Sequence, residues 1–354
     1  MEPLKLETDS LRDAAAHRHL LYGTALCTSD LTEKRRCDTI LRECSIITPE
    51  YEMKWDRIGG ADAPDFRASD RLVAFAVENG LAFHGHTLWW HESVPQDLGE
   101  ASDARFAEAA MEHLTRVVRR YAGRVYSWDV VNEPLETDHG RRDGLRHSRF
   151  LRAFGPTYLE VAFGRAAEID PEAVLVLNEM GLEYASPGAE RKRRAMLALL
   201  ERALARGAPI HCLGIQSHLD AADQPRRHPE LRAFLREIDG LGLKVMITEM
   251  DVSDQNCPRD RRLRDGMVAD TYRAYLELVL EESRSLGVST WGLSDDRTWL
   301  ATARKRPDGA AVRPMLLDRA LRRKPAWHAV KSALLSARNP DGGVEPAFPK
   351  GKIN

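Results

Sequence analysis

The chain has 354 residues, 43% of them hydrophobic and 30% charged, with a formal net charge of −2. That is an ordinary globular composition with enough apolar material for a sizeable core, and the length suits two average domains or one large α/β barrel. A near-neutral balance gives no electrostatic footprint for nucleic acid or an anionic membrane, and no run approaches the roughly 18 apolar residues of a membrane span, so neither partner is expected.

Residues 1–20 carry Asp, Glu, Arg and His and lack the apolar core of an export signal. The expected compartment is therefore the cytoplasm if Met1 is native, and the periplasm or exterior if the chain is a mature form. Eight short β-rich runs then follow in order, at residues 20–26, 44–48, 82–88, 125–131, 173–177, 212–218, 244–248 and 288–293. Each is followed by a stretch of helical periodicity. In the segment 70–80, Asp70 reads as a helix start and Asn79-Gly80 as its stop, and residues 191–206 and 267–284 read as helices too. The arginine-rich segments 191–194 and 259–264 read as solvated helix faces.

Strand alternating with helix eight times predicts an α/β fold, a single (β/α)8 TIM barrel. The barrel is expected over residues 1–335, with 336–354, rich in Pro, Gly and Lys, as a poorly ordered tail. The five cysteines, Cys27, Cys37, Cys44, Cys212 and Cys257, form no CxxC pair, and their odd number leaves at least one thiol free. Buried free thiols are expected for most of them, with a Cys37–Cys44 bridge as the alternative.

In such barrels the active site lies at the C-terminal ends of the strands. The ends here carry Glu50 and Lys54 after the second run, His86, Trp90 and His91 after the third, and Asn132 and Glu133 at the fourth. Asn178 and Glu179 follow at the fifth, Gln216 and His218 at the sixth, Glu249 and Asp251 at the seventh, and Trp291, Asp295 and Trp299 at the eighth. A buried strand has no use for a carboxylate unless it is paired or hydrogen-bonded, so Glu133 and Glu249 mark a cleft where carboxylates do chemistry. Glycoside hydrolysis is the reaction that most typically needs such a pair, and the separation of the two groups decides whether one attacks carbon directly or activates water.

The remaining rim residues fit that chemistry. Asn132 is placed to donate to a sugar hydroxyl, and His218, oriented by Asp251, to hold a carboxylate ionised. Gln216 and His218 are expected on one strand face at period two. Glu50 and Lys54 are close enough for a local ion pair. Trp90, Trp291 and Trp299 offer flat amphipathic faces for sugar stacking, although each could also serve as core. One competing chemistry rests on His84-Gly85-His86, an HxH that on a barrel can hold a catalytic divalent metal; no later His completes an obvious ligand spacing.

Six blocks together resemble glycoside hydrolase family 10, the endo-β-1,4-xylanases. They are Glu52-Met53-Lys54-Trp55-Asp56, Gly85-His86-Thr87-Leu88-Trp89-Trp90-His91, Trp128-Asp129-Val130-Val131-Asn132-Glu133-Pro134, Ile215-Gln216-Ser217-His218, Ile247-Thr248-Glu249-Met250-Asp251 and Trp291-Gly292-Leu293-Ser294-Asp295. The likeness runs from Tyr22-Gly23-Thr24-Ala25 to Lys324-Pro325-Ala326-Trp327. It implies a retaining double displacement on xylan or xylo-oligosaccharides by an expected monomer that needs no metal or other cofactor. Glu133 would be the general acid/base and Glu249 the nucleophile, with His218 and Asp251 holding it. The resemblance also implies that His86, Asn132 and Gln216 contact the sugar at the cleavage point and that Trp291 and Trp299 wall it, with Trp90 close by. Glu50 and Lys54 would bind the next sugar toward the non-reducing end. Two positions depart from the family pattern: Tyr51 stands where Asn is common, and Met180 where an aromatic residue is usual. Both bear on affinity and chain-length preference. A barrel glycosidase acting on β-1,4-glucan, and a carbohydrate-binding protein without catalysis, are the alternatives.

Overall fold

The computed structural model describes residues 9–60, 63–223 and 228–336. Of the expected tail, Ser336 ends the last helix instead, and residues 337–354 lie outside the described residues. A short helix, Leu11–Ala16, precedes the first barrel strand. The eight barrel strands are β1 (Leu21–Leu26), β2 (Ile46–Pro49), β3 (Ala82–Gly85), β4 (Ser127–Asn132), β5 (Val174–Glu179), β6 (Cys212–Ile215), β7 (Lys244–Ser253) and β8 (Ser285–Thr290). Between and after them run α1 (Lys34–Glu43), α2 (Arg67–Glu78), α3 (Asp103–Tyr121), α4 (Tyr158–Ile169), α5 (Pro187–Ala205), α6 (Pro229–Gly240), α7 (Arg261–Glu282) and α8 (Pro325–Ser336).

Every strand pairs in parallel with its sequence neighbour, and β8 closes the sheet on β1 through Leu21 opposite Gly287 and Thr24 opposite Thr290. The fold is thus the single (β/α)8 barrel that the alternation predicts. Strands buried on both faces read as continuous apolar runs, and β1 and β4 are buried at every position. The helices begin where side chains can satisfy their first N–H groups: Ser102, Ser186 and Asp260 accept from the opening turns of α3, α5 and α7. All five cysteines are free, and Cys44, Cys212 and Cys257 are buried.

Four local expectations need correction. Asp70 does not start α2, which begins three residues earlier; its carboxylate reaches Arg120 at 2.8 Å and the Tyr121 hydroxyl at 3.0 Å on α3. The sixth strand stops at Ile215, and a separate short strand, His218–Asp220, pairs with β7, so Gln216 and His218 do not share a strand face. The seventh continues to Ser253 rather than ending before Glu249. Nor are the arginine-rich segments simply solvated: Arg193 is buried and donates to the Leu182 and Tyr184 carbonyls, and Arg264 is buried against Asp254 at 3.2 Å.

The strands carrying the two glutamates share a device. Along β4 and β5, Asp129 faces Val176 but Val131 faces Leu177, so β4 holds one extra residue. Along β7 and β8, Ile247 faces Val288 but Met250 faces Thr290, so β7 holds one extra residue just where Glu249 lies. Such bulges re-aim side chains and cluster beside active sites. Close packing beneath them is strict. A Cβ added to Gly85 on β3 would lie 2.1 Å from the Trp128 ring on β4. Gly85→Ala is expected to lower stability by about 1–3 kcal/mol through overpacking, read as a lower urea midpoint with an unchanged slope.

Candidate active site

The twelve strand-end residues expected to carry site roles all lie at the C-terminal end of the barrel. Glu50 follows β2, and Lys54 caps a one-turn helix, Trp55–Ile58. His86 follows β3, and Trp90 lies on a two-residue strand, Trp89–Trp90, paired with β4. Asn132 ends β4, with Glu133 next, and Gln216 follows β6. His218 opens the short strand beside β7, Glu249 and Asp251 lie within β7, and Trp291 follows β8 with Trp299 in the loop beyond.

A continuous chain of hydrogen bonds joins the two glutamates. Gln216 Nε2 donates to Glu133 Oε1 at 3.0 Å and to Asn132 Oδ1 at 3.3 Å. Asn178 Nδ2 donates to Asn132 Oδ1 at 2.9 Å and to Glu249 Oε1 at 2.7 Å, while its own Oδ1 accepts from Thr248 at 2.8 Å. Glu133 and Glu249 are 7% and 5% exposed, so a ligand reaching both leaves little water around them. Glu133 adopts φ +54°, a left-handed conformation rare outside glycine. Its N–H donates to the Asn178 carbonyl at 2.9 Å and its carbonyl accepts from Arg146 at 3.1 Å, which fixes the turn.

Behind Glu249 lies a charge relay of a static kind. His218 Nε2 is 3.5 Å from Glu249 Oε2, and its Nδ1 is 3.0 Å from Asp251 Oδ1. Trp299 Nε1 donates to Asp251 Oδ2 at 2.6 Å, and the Trp299 ring stands edge-on to His218 at 5.2 Å. Burial alone would favour a neutral His218, but the Asp251 and Glu249 carboxylates outweigh it and hold the imidazolium well above the usual histidine range. Burial likewise pushes Glu249 up, and the His218 hydrogen bond with the His86 and His218 charges reverses this, leaving it below the usual carboxylate range.

On the opposite wall His86 Nδ1 meets Asp129 Oδ2 at 2.8 Å, and His84 Nε2 approaches the same oxygen at 2.9 Å while its Nδ1 bonds Ser127 at 2.7 Å. The HxH is therefore occupied by internal partners. The His86 ring sits edge-on to Trp291 at 5.2 Å. Lys54 does not pair with Glu50: its ammonium lies 4.8 Å from the Trp90 ring, 4.9 Å from Tyr51 and 5.9 Å from Trp291. Burial pulls the Lys54 pKa down, against the nearby Glu249 and Glu50 charges. Glu50 accepts from Cys27 Sγ at 3.4 Å and bonds the Tyr51 hydroxyl, and burial pushes its carboxyl up.

Sequence reasoning left Asp129, Asn178 and Thr248 without site roles. Asp129 carries the same signal as the glutamates, a charge inside an apolar strand, and Asn178 was visible as a strand-end amide. Glu179 and Asp295, also on the expected rim, face the scaffold instead. Glu179 is fully buried, 2.8 Å from Lys192, and accepts the Leu135 N–H at 3.0 Å, which braces the loop after Glu133. Asp295 is buried 3.0 Å from Lys324, and burial raises its pKa to about 6.

Because the folded-state pKa of His218 is raised, its stabilisation is complete below the unfolded value of about 6.5 and is lost as pH climbs through the folded value. Asp251→Asn removes the carboxylate facing Nδ1. The imidazole proton of His218, followed by NMR, is expected to titrate at least about one unit lower in that variant. An unchanged titration would show that Glu249 alone holds the charge.

Known proteins bear on this geometry. Endo-1,4-beta-xylanase C of Paenibacillus barcinonensis is 34% identical over 286 residues, covering 74% of this chain and 26% of that protein. Endo-1,4-beta-xylanase A of Cellvibrio japonicus is 34% identical over 331 residues, covering 86% of this chain and 52% of that protein. The chain thus spans about a quarter and a half of the length of these two relatives. Among solved structures, xylanase 10B of Thermotoga petrophila in complex with xylobiose superposes with a TM-score of 0.82 at 28% identity, covering 92% of this chain and 97% of that one. The pattern for glycosyl hydrolase family 10 matches residues 10–333, nearly the whole chain, and the protein belongs to that family.

Proposed function

We propose that the protein is an endo-1,4-β-xylanase that cleaves internal bonds of xylan or xylo-oligosaccharides with retention of configuration. The observation that carries this reading is the unequal treatment of two linked carboxylates. Glu249 receives Asn178 and faces the His218 imidazolium, so it is kept anionic, as a nucleophile must be. Among the described residues Glu133 receives a side-chain hydrogen bond from Gln216 alone, and it stands at the far end of the same chain, suited to carry a proton in and out.

Glu249 attacks the anomeric carbon while Glu133 delivers its proton to the departing glycosidic oxygen. The C–O bond to the leaving sugar breaks as the bond to Glu249 forms, giving a glycosyl ester. With the Glu249 charge consumed, Glu133, now the anion, takes a proton from water. The resulting hydroxide equivalent displaces Glu249 with a second inversion, and the first configuration returns. Asn132, Gln216 and His86 face the cleavage point as hydrogen-bonding groups, and Trp291, Trp299 and Trp90 supply the sugar-facing rings. Glu50 and Lys54 serve the next sugar toward the non-reducing end. The names of the relatives and the xylobiose complex of the Thermotoga petrophila enzyme support xylan over glucan as substrate. Domain limits follow the barrel, with residues beyond 335 outside the catalytic unit.

Two measurements test this reading. In hydrolysis of xylohexaose followed by NMR, the first-formed product is expected as the β-anomer, and Glu249→Ala is expected to lose at least roughly 10⁴-fold in turnover. First-formed α-anomer would overturn retention, and faster cleavage of carboxymethylcellulose than xylan would overturn the substrate. Glu133→Ala is expected to slow poor leaving groups by roughly 10²–10⁴-fold, to spare activated aryl xylosides in the first step, and to recover with azide. Equal losses on both substrate types would remove Glu133 from the acid role.

A further inference from the structure

Two clusters at the barrel mouth bring three potential ligand atoms within 4.8 Å of one another: His86 with Asp129 and Glu249, and His91 with Glu92 and Glu133. They differ in what is left to give. In the inner cluster Asp129 Oδ2 is shared by His84 and His86, and both Glu249 oxygens face donors, Asn178 and His218. A cation entering there would also face an imidazolium 3.5 Å from Glu249. In the outer cluster Glu133 spends Oε1 on Gln216 and has no other side-chain hydrogen-bond partner among the described residues. The Glu92 side chain is 63% exposed and free to turn, and its Oε1 stands 3.6 Å from His91 Nε2.

We propose that His91, Glu92 and Glu133 form an inhibitory site for a borderline divalent cation, zinc above all, at the rim of the cleft. One imidazole with two carboxylates is a donor set that suits Zn²⁺ better than Mg²⁺ or Ca²⁺, which favour oxygen alone. A tetrahedral ion with bonds of about 2.0–2.2 Å places its ligands about 3.4 Å apart. The present spacing therefore needs a closure of about an ångström, which the exposed Glu92 can make. Water completes the shell.

The surroundings set the strength. The charged and titratable groups around His91 are Glu92, Arg146, Glu136, His139 and Glu133. Arg146 is engaged by Glu136 at 3.4 Å and by the Glu133 and Leu135 carbonyls. His91 Nδ1, which carries the proton when Nε2 binds metal, is buried without a hydrogen-bond partner. A ligand histidine with no group orienting its second nitrogen loses roughly 10–100-fold in affinity, so binding is reversible rather than structural. An ion on Glu133 takes the oxygen that the proposed mechanism needs for proton transfer. That consequence rests on the proposed function; the binding itself does not.

Calorimetric titration of the metal-free 354-residue chain with zinc chloride separates the two. Wild type is expected to bind one ion, Glu92→Gln to bind at least about tenfold more weakly, and Glu249→Ala to bind as wild type does. Glu92→Gln keeps its zinc-free hydrolysis of xylohexaose within about twofold, and its zinc inhibition shifts in step with the lost affinity. Undiminished binding in Glu92→Gln, as from the exposed His139–His147 pair, would overturn the proposal. Loss of binding in Glu249→Ala would assign the ion to the inner cluster, and absence of binding to wild type would also overturn it. Should xylohexaose not be cleaved at all, the calorimetry still decides the site while the substrate reading fails.

Discussion

A carboxylate at the floor of a closed barrel must be compensated, and most of the mouth is arranged around that need at Glu249. An isolated buried anion would take up a proton and lose its charge. His218 supplies the opposing charge, but an imidazolium so enclosed is no more welcome than the anion it serves. Asp251 at 3.0 Å makes it tolerable, and Trp299, donating to Asp251 at 2.6 Å, satisfies the second oxygen. Glu249, His218 and Asp251 thus carry two negative charges against one positive. Asn178 supplies a neutral donor for the remaining Glu249 oxygen. Such sets are costly to dismantle in part, because removing one member leaves the others buried and unmatched.

The backbone serves the same end. A regular eight-stranded barrel alternates its side chains between interior and helix layer, which would aim one residue in two of β4 and β7 away from the mouth. One extra residue in each of these strands resets that alternation, between Asp129 and Val131 ahead of Glu133 in β4 and between Ile247 and Met250 around Glu249 in β7. The left-handed turns at Glu133 and Ser217 act similarly at the ends of β4 and β6. Each costs about 1–3 kcal/mol. Each is held from outside the strand that bears it: Glu133 through the Asn178 carbonyl and Arg146, and Ser217 through Glu183 at 2.9 Å and the Tyr275 hydroxyl at 2.9 Å.

This explains what the sequence makes legible and what it hides. The eight strands are plain because both faces of a parallel barrel strand are apolar. A carboxylate ending such a run stands out, which is how Glu133 and Glu249 are found. A left-handed turn at a residue other than glycine leaves no compositional mark, so the period-two argument linking Gln216 and His218 fails at Ser217, where φ is +64° and the strand has already stopped at Ile215. Helix faces mislead in a different way. Arg193 and Lys192 resemble solvent-facing charge, yet one supports backbone carbonyls and the other neutralises the buried Glu179. Long cationic side chains can cross from a helix surface to an interior partner, and periodicity does not record where their ends go.

The two glutamates differ finally in how much of their bonding capacity is spent. Glu249 faces donors on both oxygens from a strand interior, a state suited to one fixed charge. Glu133 keeps one strong contact and sits on a turn at the lip, where its charge can change without stranding a neighbour. The same incompleteness is what the proposed cation site draws on at Glu133. In the proposed mechanism Glu133 gains and loses a proton during turnover and so cannot be saturated by its own protein, and the oxygen this leaves unclaimed is the one that the proposed cation site uses.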